Sequence, residues 1–280
     1  MYLKVLAGLV AFIIFASLLV VIFQQPRTDR TWSEEFSRTV VATNTSRDTI
    51  LISNVRDWTY EGSSIVSKDW RTVEVDPNSI TKVWFITEPF SDWKAVGHTF
   101  LTFEFKDGTA LSFSIEARRE QGEDYSAIRG LFNNYELANQ WGTERDFISR
   151  RLIYLDHPVR RFPLSISSTT AEALFRGSIE QTNEVAAKPR FYNTLTENCT
   201  NALAHIVNDL APGTLPYDIS WNLTGYSDLY LMKEGFIEKV NDSKEDTRTA
   251  YDLTYKKAEI MEASTQSGKQ FSAFLNTLAK

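Results

Sequence analysis

Three residues of this chain carry side chains that together suit nucleophilic catalysis: Cys199, His98 and Glu116. A thiolate attacks carbonyl carbon, an imidazole takes and returns a proton, and a carboxylate orients the imidazole. The three are far apart in the sequence, so the elements that carry them must bring them together. Cys199 is also the only cysteine, which excludes an intrachain disulfide and a multi-cysteine metal site.

His98 and Glu116 lie in two alternating runs that predict a β-hairpin over residues 97–118, with its turn at residues 106–109, where Gly108 can adopt a positive φ. In each run apolar residues face one side and polar residues the other. Both apolar sets must lie on the same side of the sheet, so His98 and Glu116 share the opposite face. A glycine bulge in the turn would set them nearly opposite each other. A surface histidine beside an acid is the alternative.

Cys199 begins an apolar pattern of helical spacing that runs to Leu210 and stops at a Pro-Gly pair. Thr196 or Asn198 can cap this helix. The unpaired N–H groups and the positive dipole end of its first turn would stabilise a thiolate and a developing oxyanion. The alternative is an ordinary buried cysteine that packs as a small apolar residue.

The other two histidines join no visible constellation, because His157 precedes a proline in a predicted loop and His205 lies on a poorly aligned face of the Cys199 helix. A mononuclear metal site formed by His98, Glu116 and Cys199 is a third alternative, but the sequence has no metal-ligand spacing motif. We therefore expect no metal and no cofactor.

The chain as a whole predicts an α+β protein with most helices after the strands. Strands are predicted at residues 50–55, 73–75 and 82–87 in addition to the hairpin, and helices at residues 169–187, 199–210 and 249–263. Residues 27–49 form a predicted polar spacer, residues 50–238 the main domain, and residues 239–280 a charged linker and a C-terminal helix. The apolar stripe of that helix fits either a docking helix or a helix packed on its own domain.

Residues 5–23 are almost entirely apolar and nearly long enough to span a bilayer core, so residues 1–26 are predicted as a membrane anchor with a transmembrane helix. A cleaved signal peptide is the alternative, although its apolar region is usually shorter. Lys4 lies before the run and Arg27 and Arg30 after it, so positive charge does not decide the orientation.

Lys and Arg total 30 against 36 Asp and Glu, which gives a net charge of −6. This balance argues against a protein that binds nucleic acid through its phosphates. The expected partners are the membrane, through the N-terminal helix, and an acyl, lipid or peptide substrate.

Three segments resemble the Lnb N-terminal periplasmic domain family of bacterial membrane-associated proteins: GHTFL at 97–101, SIEARRE at 114–120 and YNTLTENCT at 192–200. The resemblance extends roughly over residues 50–210. It implies a single-pass protein of the bacterial inner membrane whose domain faces the periplasm.

The order of histidine before cysteine also resembles the circularly permuted papain-like arrangement of lecithin retinol acyltransferase-like enzymes, since ordinary papain-like enzymes have the cysteine first. This resemblance implies an antiparallel sheet with packed helices, with Cys199 as nucleophile, His98 as base and then acid, and Glu116 as the orienting acid. Glu120 or a residue outside the hairpin could take the third role. Three further residues are expected to support the site or bind substrate: Asn198, Tyr192 and Arg118.

The implied reaction is attack of the Cys199 thiolate on an amide or ester carbonyl, which forms a thioester that water or another acceptor resolves. Hydrolase and acyltransferase share every residue named. The predicted anchor and the many aromatic residues favour lipid or lipoprotein acyl groups, with cell-wall peptides or proteins as alternatives. A catalytically silent binding or scaffold module, in which Cys199 is buried and His98 binds a partner, is the hypothesis from another functional class.

Overall fold

The structure is a computed structural model that describes residues 23–278 together with positions 5, 8 and 12. Within these residues one sheet contains nine strands. They are β1 (Val41–Asn44), β2 (Ile50–Glu61), β3 (Ser64–Val75), β4 (Ile80–Glu88), β5 (His98–Phe105), β6 (Ala110–Arg118), β7 (Tyr135–Thr143), β8 (Arg160–Pro163) and β9 (Phe191–Tyr192).

The strand order along the sheet is β1-β2-β7-β6-β5-β4-β8, with β3 paired to β2 and β9 paired to β7. Strands β2 and β7 pair in parallel, and the other pairings are antiparallel. Strands β5 and β6 therefore lie near the middle of the sheet, between β4 and β7. Each of these two strands is hydrogen-bonded to a neighbouring strand on both sides, so the backbone that carries the residues at its ends is held in place.

The helices lie mainly after the strands. They are α1 (Ala127–Gly130), α2 (Glu144–Ser149), which continues into a π-helical turn (Arg150–Tyr154), α3 (Ser168–Ala187), α4 (Cys199–Leu210), α5 (Ser227–Lys233), α6 (Lys244–Ala250), α7 (Lys257–Ala263) and α8 (Gly268–Leu278). Short 3-10 turns lie at Glu34–Phe36, Pro77–Ser79, Ile219–Trp221, Thr224–Tyr226 and Leu253–Lys256.

Helices α3 and α4 cover the apolar face of the β5–β6 hairpin. Leu101, Phe103 and Phe113 of the hairpin are buried in one cluster with Phe175 of α3 and Ala202 of α4. The predicted hairpin is confirmed with its register parity, since Phe100 pairs with Ser114 and Thr102 with Ser112. The turn contains Gly108 at a φ of 83°. The packing of α4 on this face brings its first turn to the start of β5.

The second face of the hairpin is buried as well. Phe100 belongs to a separate apolar cluster with Phe147 of α2 and with Phe271 and Leu275 of α8. The C-terminal stripe thus packs on its own sheet. The polar residues that alternate with Phe100 are enclosed by protein, so their hydrogen bonds must be made internally.

Segments outside residues 50–238 also contribute to this core. The predicted spacer over residues 27–49 contains β1, which pairs with β2, and buried Phe36. The predicted helix over residues 249–263 is interrupted: Asp252 caps a 3-10 turn and Leu253 N–H donates to Val159 O. The predicted helix over residues 199–210 is confirmed as α4.

The predicted transmembrane helix is corrected by the structure. In the part of the chain that is described, no helix is both long and apolar enough to cross a membrane. The longest described helix, α3, has 20 residues but carries charged residues such as Glu172 and Arg176, whereas a membrane span is predominantly apolar. Most of residues 5–23 lie outside the described residues. The fold is α+β, and the expected antiparallel sheet is instead mixed, because β2 and β7 pair in parallel.

Candidate functional site

The β5–β6 hairpin brings His98 and Glu116 together. Because Phe100 pairs with Ser114, the same register sets His98 opposite Glu116. The Nε2 atom of His98 lies 3.1 Å from Glu116 Oε1 and 2.7 Å from Ser114 Oγ. The Ser114 hydroxyl also donates to Glu116 Oε1 over 2.7 Å. The carboxylate and the serine together fix the orientation of the imidazole.

Asn198 positions the cysteine at the start of α4. Its side-chain oxygen accepts from the N–H groups of Thr200 and Asn201 over 2.8 and 2.9 Å, so it is the N-cap. Its side-chain nitrogen donates to Thr194 O and Trp221 O. Cys199 is therefore the first helical residue, and its own N–H is one of the amides that have no acceptor inside the helix.

Cys199 meets His98 at the N-terminal end of β5. Burial raises the pKa of the Cys199 thiol, but the charge of His98 and the hydrogen-bonding groups of His98 and Thr99 lower it; the Sγ atom lies 4.0 Å from the Thr200 hydroxyl, and only 3% of Cys199 is exposed. The Thr99 hydroxyl lies 3.0 Å from the Thr200 hydroxyl, which links the strand to the first turn of α4. With Nε2 occupied by Ser114 and Glu116, Nδ1 is the ring nitrogen left for the thiol.

The charges around this contact favour a thiolate and an imidazolium. Burial opposes the charged form of His98, but the negative charges of Glu116 and Cys199 outweigh it and raise the pKa of the imidazole to about 10. Burial also opposes the thiolate, but the charge and hydrogen bond of His98 lower the pKa of Cys199 below its usual value. Both shifts favour the state in which the proton of the pair lies on His98.

Two arginine-linked carboxylates extend the site. Burial favours a neutral Glu116, but the positive charges of His98 and Arg151 hold the pKa of its carboxyl well below the usual range. Arg151 donates to Glu116 Oε1 over 3.1 Å and to Glu88 Oε2 over 2.7 Å. The other oxygen of Glu88 lies 2.7 Å from Nδ1 of His157. A continuous chain of side-chain contacts thus runs from His98 through Glu116, Arg151 and Glu88 to His157.

The Cys199–His98 pair opens into a polar cleft of about 230 Å³. Tyr192 lines the cleft, and its hydroxyl lies 3.2 Å from that of Tyr125. Burial and the negative charge of Cys199 raise the pKa of Tyr192 well above its usual value, so the phenol keeps its proton. Tyr192 is the predicted supporting residue that faces the thiol across the cleft.

Other predicted residues lie apart from the cleft. Arg118 donates to Phe36 O and stacks over Trp32 with its guanidinium 4.3 Å from the ring centre. Glu120 is paired with Arg30 over 2.9 Å. His205 is exposed on α4. The structure thus brings together Cys199, His98, Glu116, Asn198 and Tyr192, and leaves Arg118 and Glu120 outside.

Four residues around the Cys199–His98 pair were not assigned to the site from the sequence: Ser114, Glu88, Arg151 and His157, which was placed outside any constellation but lines the cleft. Ser114 could have been found, because it lies on the polar face of β6, two residues before Glu116. The other three come from the end of β4, the π-helical turn and the loop after it, where no local pattern points toward the hairpin. A π-helical turn is itself a frequent feature of functional sites.

A second, larger cavity lies on the far side of the first turn of α4. It has a volume of about 510 Å³. Its wall includes Leu101 of β5, Leu174 of α3, Leu203 of α4 and Tyr230 of α5, together with Thr200, which follows the cysteine. Most of its lining side chains are apolar, in contrast to the cleft.

No cluster of three or more His, Cys, Asp or Glu residues suited to hold a metal ion occurs in the searched residues, 23–278 and positions 5, 8 and 12. The alternative of a metal site formed by His98, Glu116 and Cys199 therefore has no geometric support in this structure.

Comparison with protein families gives one match: the model of the Lnb N-terminal periplasmic domain matches residues 67–225. This span is more than half of the chain and contains β4 to β9 and the Cys199–His98 pair. No curated protein and no solved structure matches the chain.

Proposed function

Because the chain belongs to the Lnb N-terminal periplasmic domain family, we propose that it is a periplasmic cysteine enzyme that transfers an acyl group through a thioester on Cys199. The observation that carries this proposal is the contact of Cys199, at a helix N-terminus, with His98 held by Glu116. The order of histidine before cysteine supports a permuted papain-like arrangement of these residues.

In the first step the Cys199 thiolate attacks the carbonyl carbon of an ester or amide. The oxyanion that forms is stabilised by the N–H of Cys199 and the positive end of α4. The imidazolium of His98 then donates its proton to the leaving oxygen or nitrogen, the bond to the leaving group breaks, and a thioester remains. Glu116 stabilises His98 throughout, because its carboxylate lies against Nε2.

In the second step water or another nucleophile attacks the thioester carbonyl, and Cys199 leaves as a thiolate. With water as the nucleophile the protein is a hydrolase, and with an alcohol or amine it is an acyltransferase. Thiolate departure is favoured by the positive end of the α4 dipole, at which Cys199 lies.

The apolar cavity supports an acyl group with an apolar chain. Thr200 lines this cavity and is adjacent to Cys199 in the first turn of α4. The cleft and the apolar cavity thus flank the same turn of α4, with Leu101, Leu174 and Leu203 in the wall of the cavity. Burial of each methylene there would contribute about 0.8 kcal/mol to binding.

The competing proposal is a catalytically silent binding module of the same fold. Its support is the low exposure of Cys199, 3%, which a packing role also explains. The two proposals differ in the reactivity of the thiol, because a paired thiolate reacts below the pH at which an ordinary thiol ionises.

The test is the pH dependence of Cys199 alkylation by iodoacetamide in the full chain, where no other cysteine reacts. We expect an apparent pKa clearly below the reference value of about 8.5, and a rise of about one unit or more in His98→Ala. His205→Ala, which removes an exposed histidine of α4, is the matched control and should match wild type. A thiol that stays unreactive below pH 8 in all three proteins would favour the binding module.

A further inference from the structure

The cleft contains a second imidazole–carboxylate pair that the first reaction step does not use. Glu88 is buried, and its Oε1 lies 2.7 Å from Nδ1 of His157. The Nε2 atom of His157 has no hydrogen-bond partner among the described residues, and the ring lines the same cleft as Cys199. This pair has the form of a general base oriented by a carboxylate.

The backbone holds this pair beside the first one. Glu88 is directly opposite His98 in the β4–β5 ladder, so the two side chains project from the same face of the sheet. Arg151 connects Glu88 to Glu116. The backbone N–H of His157 donates to the backbone carbonyl of Arg151 over 2.9 Å. The imidazoles of His98 and His157 therefore each contact a carboxylate, and the guanidinium of Arg151 bridges the two carboxylates.

The second reaction step requires a proton acceptor. When the thioester forms, His98 has given its proton to the leaving group, and its Nε2 remains bonded to Ser114 and Glu116. A nucleophile that enters the cleft also meets His157, which lines the cleft and whose side chain is 30% exposed.

We propose that His157, oriented by Glu88, accepts the proton of the nucleophile that resolves the Cys199 thioester; this inference rests on the proposed function. The nucleophile forms a bond to the carbonyl carbon while its proton passes to Nε2 of His157. The carbon–sulfur bond breaks and its electron pair stays on the Cys199 thiolate. His157 then releases the proton to solvent, and His98 regains its proton from solvent, so the site returns to its starting state.

The experiment separates the two steps with p-nitrophenyl butyrate, whose leaving group needs no acid. A burst of p-nitrophenolate measures thioester formation, and the steady rate after the burst measures its hydrolysis. The variant is His157→Asn, because its amide can still donate to Glu88 but cannot accept a proton as a base. His205→Asn is the matched control on the outside of α4.

We expect His157→Asn to keep the burst rate and amplitude of wild type and to lose about 100-fold in the steady rate. Hydroxylamine reacts with thioesters without a general base, so adding it should release the acyl group equally fast from the variant and from wild type. A role in positioning Glu88 alone would predict normal hydrolysis in His157→Asn.

The outcomes distinguish the two proposals. If wild type gives no burst, the proposed function fails. If wild type gives a burst and His157→Asn hydrolyses the thioester at the wild-type rate, the role of His157 is overturned and the proposed function stands. A loss of the burst in both His157→Asn and His157→Gln also overturns it, because His157 would then be needed for thioester formation or folding.

Discussion

Glu116 is the residue on which the charge of the site depends. One of its oxygens, Oε1, accepts from Ser114 and Arg151 and lies against Nε2 of His98. A half-buried carboxylate with this many donors stays ionised, and its charge raises the pKa of His98 beside the thiol. Glu116 thus affects the reactivity of Cys199 through His98.

Replacing the Glu116 carboxylate tests whether the charge of the site depends on it. In Glu116→Gln the pKa of His98 should fall, the imidazolium should be lost at a lower pH, and the thiolate should lose its counter-ion. We expect the apparent pKa for Cys199 alkylation to rise by about one unit, which corresponds to about 1.4 kcal/mol.

The matched control is Glu120→Gln, four residues along the chain, whose carboxylate is paired with Arg30. Its alkylation profile should coincide with that of wild type. An unchanged profile in Glu116→Gln would show that the charge of this carboxylate does not reach the thiol.

At the scale of elements, the cap of α4 both stabilises the helix and positions Cys199. Asn198 bonds two N–H groups of the first turn and two carbonyls of the neighbouring loops. Ser167 caps α3 with a bond to the N–H of Thr170 and is exposed. Substituting the two residues therefore compares the loss of an N-cap at the cleft with the loss of an N-cap away from it.

Ser167→Ala should lower the free energy of unfolding, measured in urea, by about 1 kcal/mol, and Asn198→Ala should lower it by more, because it also removes the donor to two loop carbonyls. Only Asn198→Ala should also slow the alkylation of Cys199 at pH 7, because it frees the first turn of α4 from its neighbours. Equal alkylation rates in the two variants would show that the Asn198 cap does not position the thiol.

The same elements show how far the sequence could predict the structure. Strict alternation over residues 97–118 and the turn at Gly108 were enough to predict the hairpin and the shared face of His98 and Glu116. The apolar spacing after Cys199 was enough to predict α4. These features are local, or follow from the requirement that one face be buried.

The rest depends on long-range contacts that no local pattern encodes. The meeting of Cys199 with His98 could be inferred from the resemblance, but not from periodicity. Arg151 reaches Glu116 from a π-helical turn, and His157 reaches Glu88 from an irregular loop. The polar face of the hairpin also gave no sign that α2 and α8 would cover it, since Phe100 was the only large apolar residue on that side of β5.

At the scale of the whole molecule, the C-terminal helix α8 packs against Phe100, the neighbour of His98. Phe271 is fully buried beside Phe100 and Phe147, and the ring of Phe100 is stacked with that of His98 at 6.1 Å. We expect Phe271→Ala to lower the free energy of unfolding by about 3–5 kcal/mol. Tyr255→Ala, at a side chain that is 73% exposed, should change it little. Equal urea midpoints for the two variants would contradict this packing role.

The buried carboxylates also set the response of the molecule to acid. The pKa of Glu116 is held well below its usual value, and that of Glu88 is also lowered, because Arg151 and His157 outweigh the effect of burial. The folded state therefore binds fewer protons than the unfolded state, and the free energy of unfolding should fall as the pH drops below about 5.

Urea unfolding between pH 7 and pH 3 measures this loss. Glu116→Gln should flatten the decrease, since it removes one of the carboxylates that must be protonated, whereas Glu262→Gln at an exposed position should follow wild type. A decrease as steep in Glu116→Gln as in wild type would assign the acid sensitivity to other groups.

The single thiol has a consequence for the lifetime of the protein. The thiolate is also the form of a cysteine that peroxides oxidise, and the first product is a sulfenic acid. In most redox-sensitive proteins a second cysteine captures that product as a disulfide, which can be reduced. Cys199 has no such neighbour in the 280 residues. Its recovery depends on a thiol supplied from outside, and without one further oxidation to the sulfinic acid is permanent.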